Sequence, residues 1–155
     1  MPGSVDRVKS YLNGLGVHVE FREFQVSTKS SALAAEALGC SIAEIAKSVV
    51  FSAGGAIVVI VSGDKKVDPR RLSALVASPA EMATPEEVRQ MTGYPIGGVP
   101  PFPHHEGVRV LLDSSLFRFR RVWAAGGAPN AVFGIGIGDL LRIVGTEASE
   151  LAASP

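Results

Sequence analysis

Val5, Val8, Leu12 and Leu15 recur at helical spacing until Gly14 and Gly16 interrupt the pattern, which predicts an amphipathic helix over residues 4–15. From Val17 the period becomes two. Val17, Val19 and Phe21 alternate with His18, Glu20 and Arg22, the pattern of a half-buried strand. Ser30 or Ser31 then caps an Ala-rich helix, SALAAEAL, which Gly39 ends, and Ser41 opens a second short helix, IAEIA, leading into Lys47. The next segment is β-rich: SVVF and AIVVIV flank the turn SAGG, predicting a hairpin that is central in its sheet because the second run is apolar throughout. Asp68-Pro69 opens the helix PRRLSALV, and Thr84-Pro85-Glu86-Glu87 opens EEVRQM with a capping box. Residues 93–107, with four Pro and four Gly, predict irregular structure. After them come the strand VRVLL, the turn DSSLF, the strand FRRVWAA, a Gly-rich turn, the strand AVFGI and a last helix, DLLRIV. About six or seven strands and five helices in mixed order predict an α/β or α+β fold on a mixed sheet.

Composition narrows this further. The chain has 155 residues, 46% of them hydrophobic, which suits a single domain with its own core. Mean hydropathy is +0.27, yet the longest apolar run, Ala56 to Val61, is far short of the roughly 20 residues of a membrane span. A single cysteine, Cys40, precludes an intramolecular disulfide, and the first residues lack the apolar run of a secretion signal, so the expected location is the cytoplasm. Fifteen Lys and Arg balance fifteen Asp and Glu. Such a neutral chain does not coat nucleic acid; any RNA must be held by local patches.

Common catalytic motifs are missing. Gly134, Gly136 and Gly138 resemble the opening of a dinucleotide-binding turn, but Asp139 stands where the next glycine belongs and only 16 residues follow, so a bulged strand end is expected. There is no Walker loop and no nucleophile elbow. Only His18, His104 and His105 could serve a triad, and adjacent histidines before Glu106 point apart, so solvated loop histidines and no metal are expected. Cys40 reads as a small buried residue. Lys47 stands out, flanked by apolar residues in IAEIAKSVVF: it either sends its ammonium to solvent or lines a polar cavity. The loop from Gly93 to Pro101 combines glycines that expose backbone N–H groups with prolines that stiffen them, which suits either a structural Ω-loop or a cradle for a carbonyl or phosphate.

The order SSALAAEALGCSIAEIAKSVVF, VVIVSGDKKVDPRRLSALV, TPEEVRQMTGYPIGGVPPF and VLLDSSLFRFRRVWAAGGAPNAV, over about residues 28–145, resembles the YbaK/ProX family of aminoacyl-tRNA editing domains. That family includes free-standing deacylases and the editing insertion of bacterial prolyl-tRNA synthetases. The resemblance implies one α/β domain over residues 1–155, with a mixed, partly barrel-like sheet, that hydrolyses the ester joining a wrong amino acid to tRNA. It implies Lys47 with Gly97 and Gly98 as catalytic residues, and Ser30, Tyr94, Val99, Pro101, Asp113 and Asn130 as substrate-binding ones. An aminoacyl ester is already activated, so an oriented water and donors for the oxyanion suffice, with no cofactor. Lys47 is expected to act electrostatically and by positioning. Many members carry a histidine where this chain has Ala128, which bears on amino-acid specificity more than on the reaction.

Two basic clusters are candidates for acceptor-stem phosphates: Lys65, Lys66, Arg70 and Arg71, and Arg118, Arg120 and Arg121. The expected partner is the acceptor end of a tRNA, with a synthetase as a second candidate and neither DNA nor membrane. Expected cargo is a small misacylated residue such as Ala, Cys or Ser, on tRNA-Pro or a similar tRNA. The competing reading is a module that binds aminoacyl-tRNA or a synthetase in the same pocket without turnover.

Overall fold

The computed structural model describes residues 3–153. Helix α1 (Ser4–Leu15) buries Val8 and Leu12 and ends at Gly16 in the left-handed conformation. Strand β1 (Glu20–Glu23) follows; Val17, Val19 and Phe21 do pack on the core, but the paired ladder begins only at Glu20, three residues after the alternation starts. Helix α2 (Ser31–Leu38) is capped by the Ser30 hydroxyl, which accepts the Leu33 N–H.

The helix expected at IAEIA is a single 3₁₀ turn, Ile42–Glu44, and Ile45 already belongs to strand β2 (Ile45–Ser52). Five residues cannot repay helix nucleation, whereas β-branched Ile45 gains a place in the sheet. Lys47 therefore lies inside a strand. The hairpin is as expected: β2 pairs with β3 (Ala56–Ser62) from Ser52↔Ala56 to Ala46↔Ser62, and every residue of β3 is buried. Helix α3 (Pro69–Val76), strand β4 (Glu81–Met82) and helix α4 (Pro85–Thr92) come next, with Asp68 and Thr84 capping the two helices. The irregular segment leads into β5 (Val108–Asp113), a 3₁₀ turn at Ser114–Arg118, β6 (Arg121–Ala125), β7 (Ala131–Gly136), helix α5 (Ile137–Val144) and β8 (Ala148–Ser149).

The strand order is β1-β7-β6-β2-β3-β5-β8, with β4 on β2, mixing parallel and antiparallel neighbours. Strands β4 and β8, two residues each, carry too little pattern to be read in advance. The β6–β7 register is continuous through Gly134 and Gly136, so no bulge occurs there. Instead the Arg121 guanidinium occupies the space a Gly134 side chain would need. One face of the sheet, with Val50, Ile60, Leu112, Val122 and Phe133, packs against α1 and α5. Phe51, Val59 and Leu111 on the other face pack with Leu72 of α3, and Ile45 and Trp123 pack with Ala34 and Ala35 of α2.

Candidate functional site

One break in the sheet creates the main cavity. Strand β2 pairs with β6 only at Ile45↔Trp123 and Ala46↔Ala124, and with β4 only at Phe51↔Met82 and Ser52↔Glu81. Along this edge Lys47, Ser48 and Val49 have no neighbouring strand, and beside them lies a cavity of about 410 Å³. The space suits a small ligand. Its walls are the 28–32 segment and Ala34 of α2, Lys47 and Ser48 of β2, Gly63, the Ile96–Gly97 turn with Val99, and Trp123 to Ala125.

Lys47 makes no hydrogen bond and no ion pair among the described residues. Burial lowers its pKa below the usual lysine value, nearby Lys66 pushes it the same way, and Asp64 opposes them. Asp64 is itself committed, accepting two hydrogen bonds of 2.7 and 3.1 Å from Arg118. The Ser48 hydroxyl oxygen is also buried without a partner. A desolvated ammonium and an orphaned hydroxyl in one cavity are both short of partners that a polar ligand would supply.

Opposite, the segment Pro95 to Gly98 forms a tight turn closed by the Gly98 N–H on the Pro95 carbonyl (2.9 Å), with Gly97 at φ +83°. A side chain at Gly97 would be strained by that φ and would strike Lys29 at 2.6 Å. Among the described residues the N–H groups of Gly97 and Val99 have no acceptor, and both residues line the cavity. These are donors available to an oxyanion or carbonyl.

The structure thus brings together Lys47, Gly97, Val99 and Ser30. Gly98 stands just behind, backed against the Ala128 main chain so closely that a Cβ would lie 2.8 Å from it. Tyr94, Pro101, Asp113 and Asn130 are not in the cavity wall. Tyr94 is wholly buried, its hydroxyl donating to the Pro103 carbonyl (2.9 Å) and its ring covered by Arg7. Pro101 is buried next to it in the loop. Asp113 accepts the N–H groups of Ser115, Leu151 and Ala152 at 2.7–2.9 Å. Asn130 is exposed and clamps the end of β1, donating to the Phe24 carbonyl while Phe24 N–H donates to its own. His104 and His105 are not free in solvent: their Nε2–H groups donate to the carbonyls of Pro100 (2.7 Å) and Met91 (2.8 Å), and burial lowers the His104 pKa. Cys40 is half-buried beside α2, and burial raises its pKa. No group of three or more metal-ligating side chains occurs among the described residues.

The basic clusters are redistributed. Arg118 joins the 64–66 turn through Asp64, Arg71 is tied to Asp68 and to the Ala152 carbonyl, and Arg70 and Arg120 are exposed. Arg121 pairs with Glu20, as does Arg22, and both guanidiniums cover Trp123. Sequence reasoning missed Ser48, Arg22 and Trp123; the single tryptophan next to an Arg pair was the available signal.

Comparison with known proteins identifies the family and the fold. The aminoacyl-tRNA editing domain model matches residues 26–143. An uncharacterized protein of Bacillus subtilis (strain 168), YwhH, is 35% identical over 130 residues, 83% of each chain. The multifunctional Ser/Thr-tRNA deacylase ProXp-y of Escherichia coli (strain K12) is 27% identical over 139 residues, again 83% of each. A crystal structure described as a candidate trans-editing enzyme for prolyl tRNA synthetase superposes with a TM-score of 0.90 at 38% identity, covering 99% of both chains. With the model spanning the cavity, the β2 strand that holds Lys47 and the Gly97 turn, the chain belongs to the aminoacyl-tRNA editing domain family.

Proposed function

We propose that this editing domain removes a small, wrongly attached amino acid from the 3′ end of a tRNA, with the aminoacyl group held between Lys47 and the Gly97 turn. Water adds to the ester carbonyl carbon, the bond to the ribose oxygen breaks, and the products are the free amino acid and a tRNA with its terminal hydroxyl restored. Lys47 supplies positive charge and position, while the free N–H groups of Gly97 and Val99 meet the oxygen that becomes negative. The observation that carries this reading is the half-buried ammonium of Lys47, unpaired among the described residues, sharing a cavity with a donor-bearing turn.

A cargo such as Ala, Cys or Ser is supported by the cavity size and by the small and aliphatic walls at Ala34, Ala46, Val99 and Ala124. The E. coli relative's name, a Ser/Thr-tRNA deacylase, and the 36% identity over 81 residues to a proline–tRNA ligase of Nitratidesulfovibrio vulgaris (strain DP4) support a tRNA-Pro or related acceptor. A panel of mischarged tRNAs tests this. Faster deacylation of at least one, lost in Lys47→Ala, is the expected result; a panel hydrolysed no faster than without protein would sink it. Binding without turnover is the second reading, favoured by Ala128, which places no side-chain acid or base next to the Gly97 turn. Its mark is salt-sensitive tRNA binding with no hydrolysis at protein excess.

A further inference from the structure

Beside the cavity lies a part of the sheet with no helix over it. Strands β6, β7 and β1 send Val122, Ala124, Phe133, Ile135 and Phe21 into the main core, so the alternate residues stand on the opposite face. Helices α1 and α5 pack on the core side, and α2 reaches the opposite face only at Trp123. In the middle strand Gly134 faces both Glu20 and Trp123, and Gly136 faces Arg121. The Arg121 guanidinium fills the room left above Gly134, beside a groove of about 220 Å³ bordered by His18, Glu20 and Arg121.

Over this groove two guanidiniums lie on one aromatic ring. Those of Arg121 and Arg22 stand 4.7 and 5.0 Å from the centre of Trp123, and the Glu20 carboxylate tethers both. Each side chain remains more than 40% exposed. A guanidinium has five N–H donors, so one carboxylate leaves each with donors to spare. Trp123 also lines the cavity, so the ring that carries the two guanidiniums adjoins it.

Planar guanidiniums layered on an aromatic ring offer a surface for a base, and their spare N–H groups offer cationic donors for phosphates, which is what single-stranded RNA requires. We propose that the face formed by Trp123, Arg121 and Arg22 docks the unpaired nucleotides preceding the aminoacylated one, with a base stacked at Trp123 and phosphates on the two arginines. This rests on the cavity being the aminoacyl site: an ester held between Lys47 and Gly97 leaves its nucleoside outside, and Trp123 is a wall residue of the cavity whose ring also carries both arginines. The opposite rim, at Asp64 to Lys66, offers less. Arg118 there gives two N–H groups to Asp64 and a third to the Ser115 carbonyl, and the ring beneath it, Phe119, does not line the cavity.

Trp123 is the chain's only tryptophan, so its emission reports on the groove directly. The experiment titrates the full chain with a short single-stranded RNA that ends in the tRNA 3′ sequence and carries no amino acid, following Trp123 fluorescence and, independently, filter retention. Saturable quenching is expected, and affinity should fall with salt by about 0.7 log units per log unit for each phosphate held. Arg22→Gln with Arg121→Gln lowers that slope by about 1.4, two contacts' worth, and weakens binding roughly tenfold. Arg89→Gln with Arg142→Gln, two exposed arginines on α4 and α5, leaves slope and affinity unchanged. Trp123→Phe retains binding, whereas Trp123→Leu weakens it roughly five- to a hundredfold. RNA retention without quenching, a wild-type slope in the Arg22/Arg121 variant, loss of the slope on Lys65→Gln with Lys66→Gln instead, or no binding at all overturns the proposal. The two readings fail separately: hydrolysis of a mischarged tRNA with unchanged KM in the arginine variant condemns the groove alone, and quenching by RNA without any hydrolysis condemns the deacylase alone.

Discussion

Two charged groups on the same sheet, Lys47 on β2 and Asp113 at the end of β5, live under opposite conditions. The Asp113 carboxylate is 1% exposed and receives three backbone N–H groups, two of them from the chain's last described segment. It staples the C-terminal segment to the sheet. Lys47 is partly desolvated, repelled by Lys66, and has no hydrogen-bonding partner among the described residues. A buried charge with a full set of partners is architecture; one left without partners costs stability and is retained for what it binds.

The largest effect expected from breaking this contrast is at the satisfied group. Asp113→Ala strands three N–H groups, so it should cost about 3 kcal/mol, a fall in Tm of roughly 6–12 °C by calorimetry, while the folded fraction keeps its KM and kcat. Lys47→Met should do the reverse. Deacylation falls about a hundredfold, and thermal stability is unchanged or higher because a disfavoured charge is gone. The sign follows from linkage: a lysine pKa lowered in the folded state penalises folding wherever Lys47 is charged, and the penalty vanishes as pH rises toward the ordinary value of 10.5. The stabilisation in Lys47→Met should therefore shrink in alkaline melts. Activity that depends on the ammonium falls as pH rises through the same lowered pKa, and Lys47→Arg moves that fall to higher pH in a pH–rate profile.

Smaller effects sharpen the comparison around the cavity. Gly97→Ala forces a Cβ against Lys29 in a left-handed turn, and about a tenfold loss of kcat/KM is expected together with a fall in Tm of roughly 2–12 °C, the cost of about 1–3 kcal/mol of backbone strain. Tyr94→Phe removes one hydrogen bond to the Pro103 carbonyl and should cost about 1 kcal/mol of stability with no change in kinetics. A kinetic defect in Tyr94→Phe would return that ring to the site.

Local pattern made the hairpin legible, as it did the capped helices α3 and α4 and the oddity of a lysine within an apolar run. It misjudged IAEIA, since a five-residue stretch obeys the sheet beside it rather than its own cap. Within the Gly93–Pro101 loop, composition marked the segment but did not separate Gly97, at the cavity wall, from Tyr94, turned into the core. Loop residues have no period to say which way they face.

By itself the sequence determined the periodicities, the caps, the turn glycines and the motif order that marks the family, because each is encoded among residues a few positions apart. Only the tertiary structure decided where β2 parts from β6, which charges find partners, and that Arg22 and Arg121, distant in the chain, meet over Trp123. Those outcomes depend on the register of distant strands. No local pattern records which strand edge is left open or which ammonium is left unpaired.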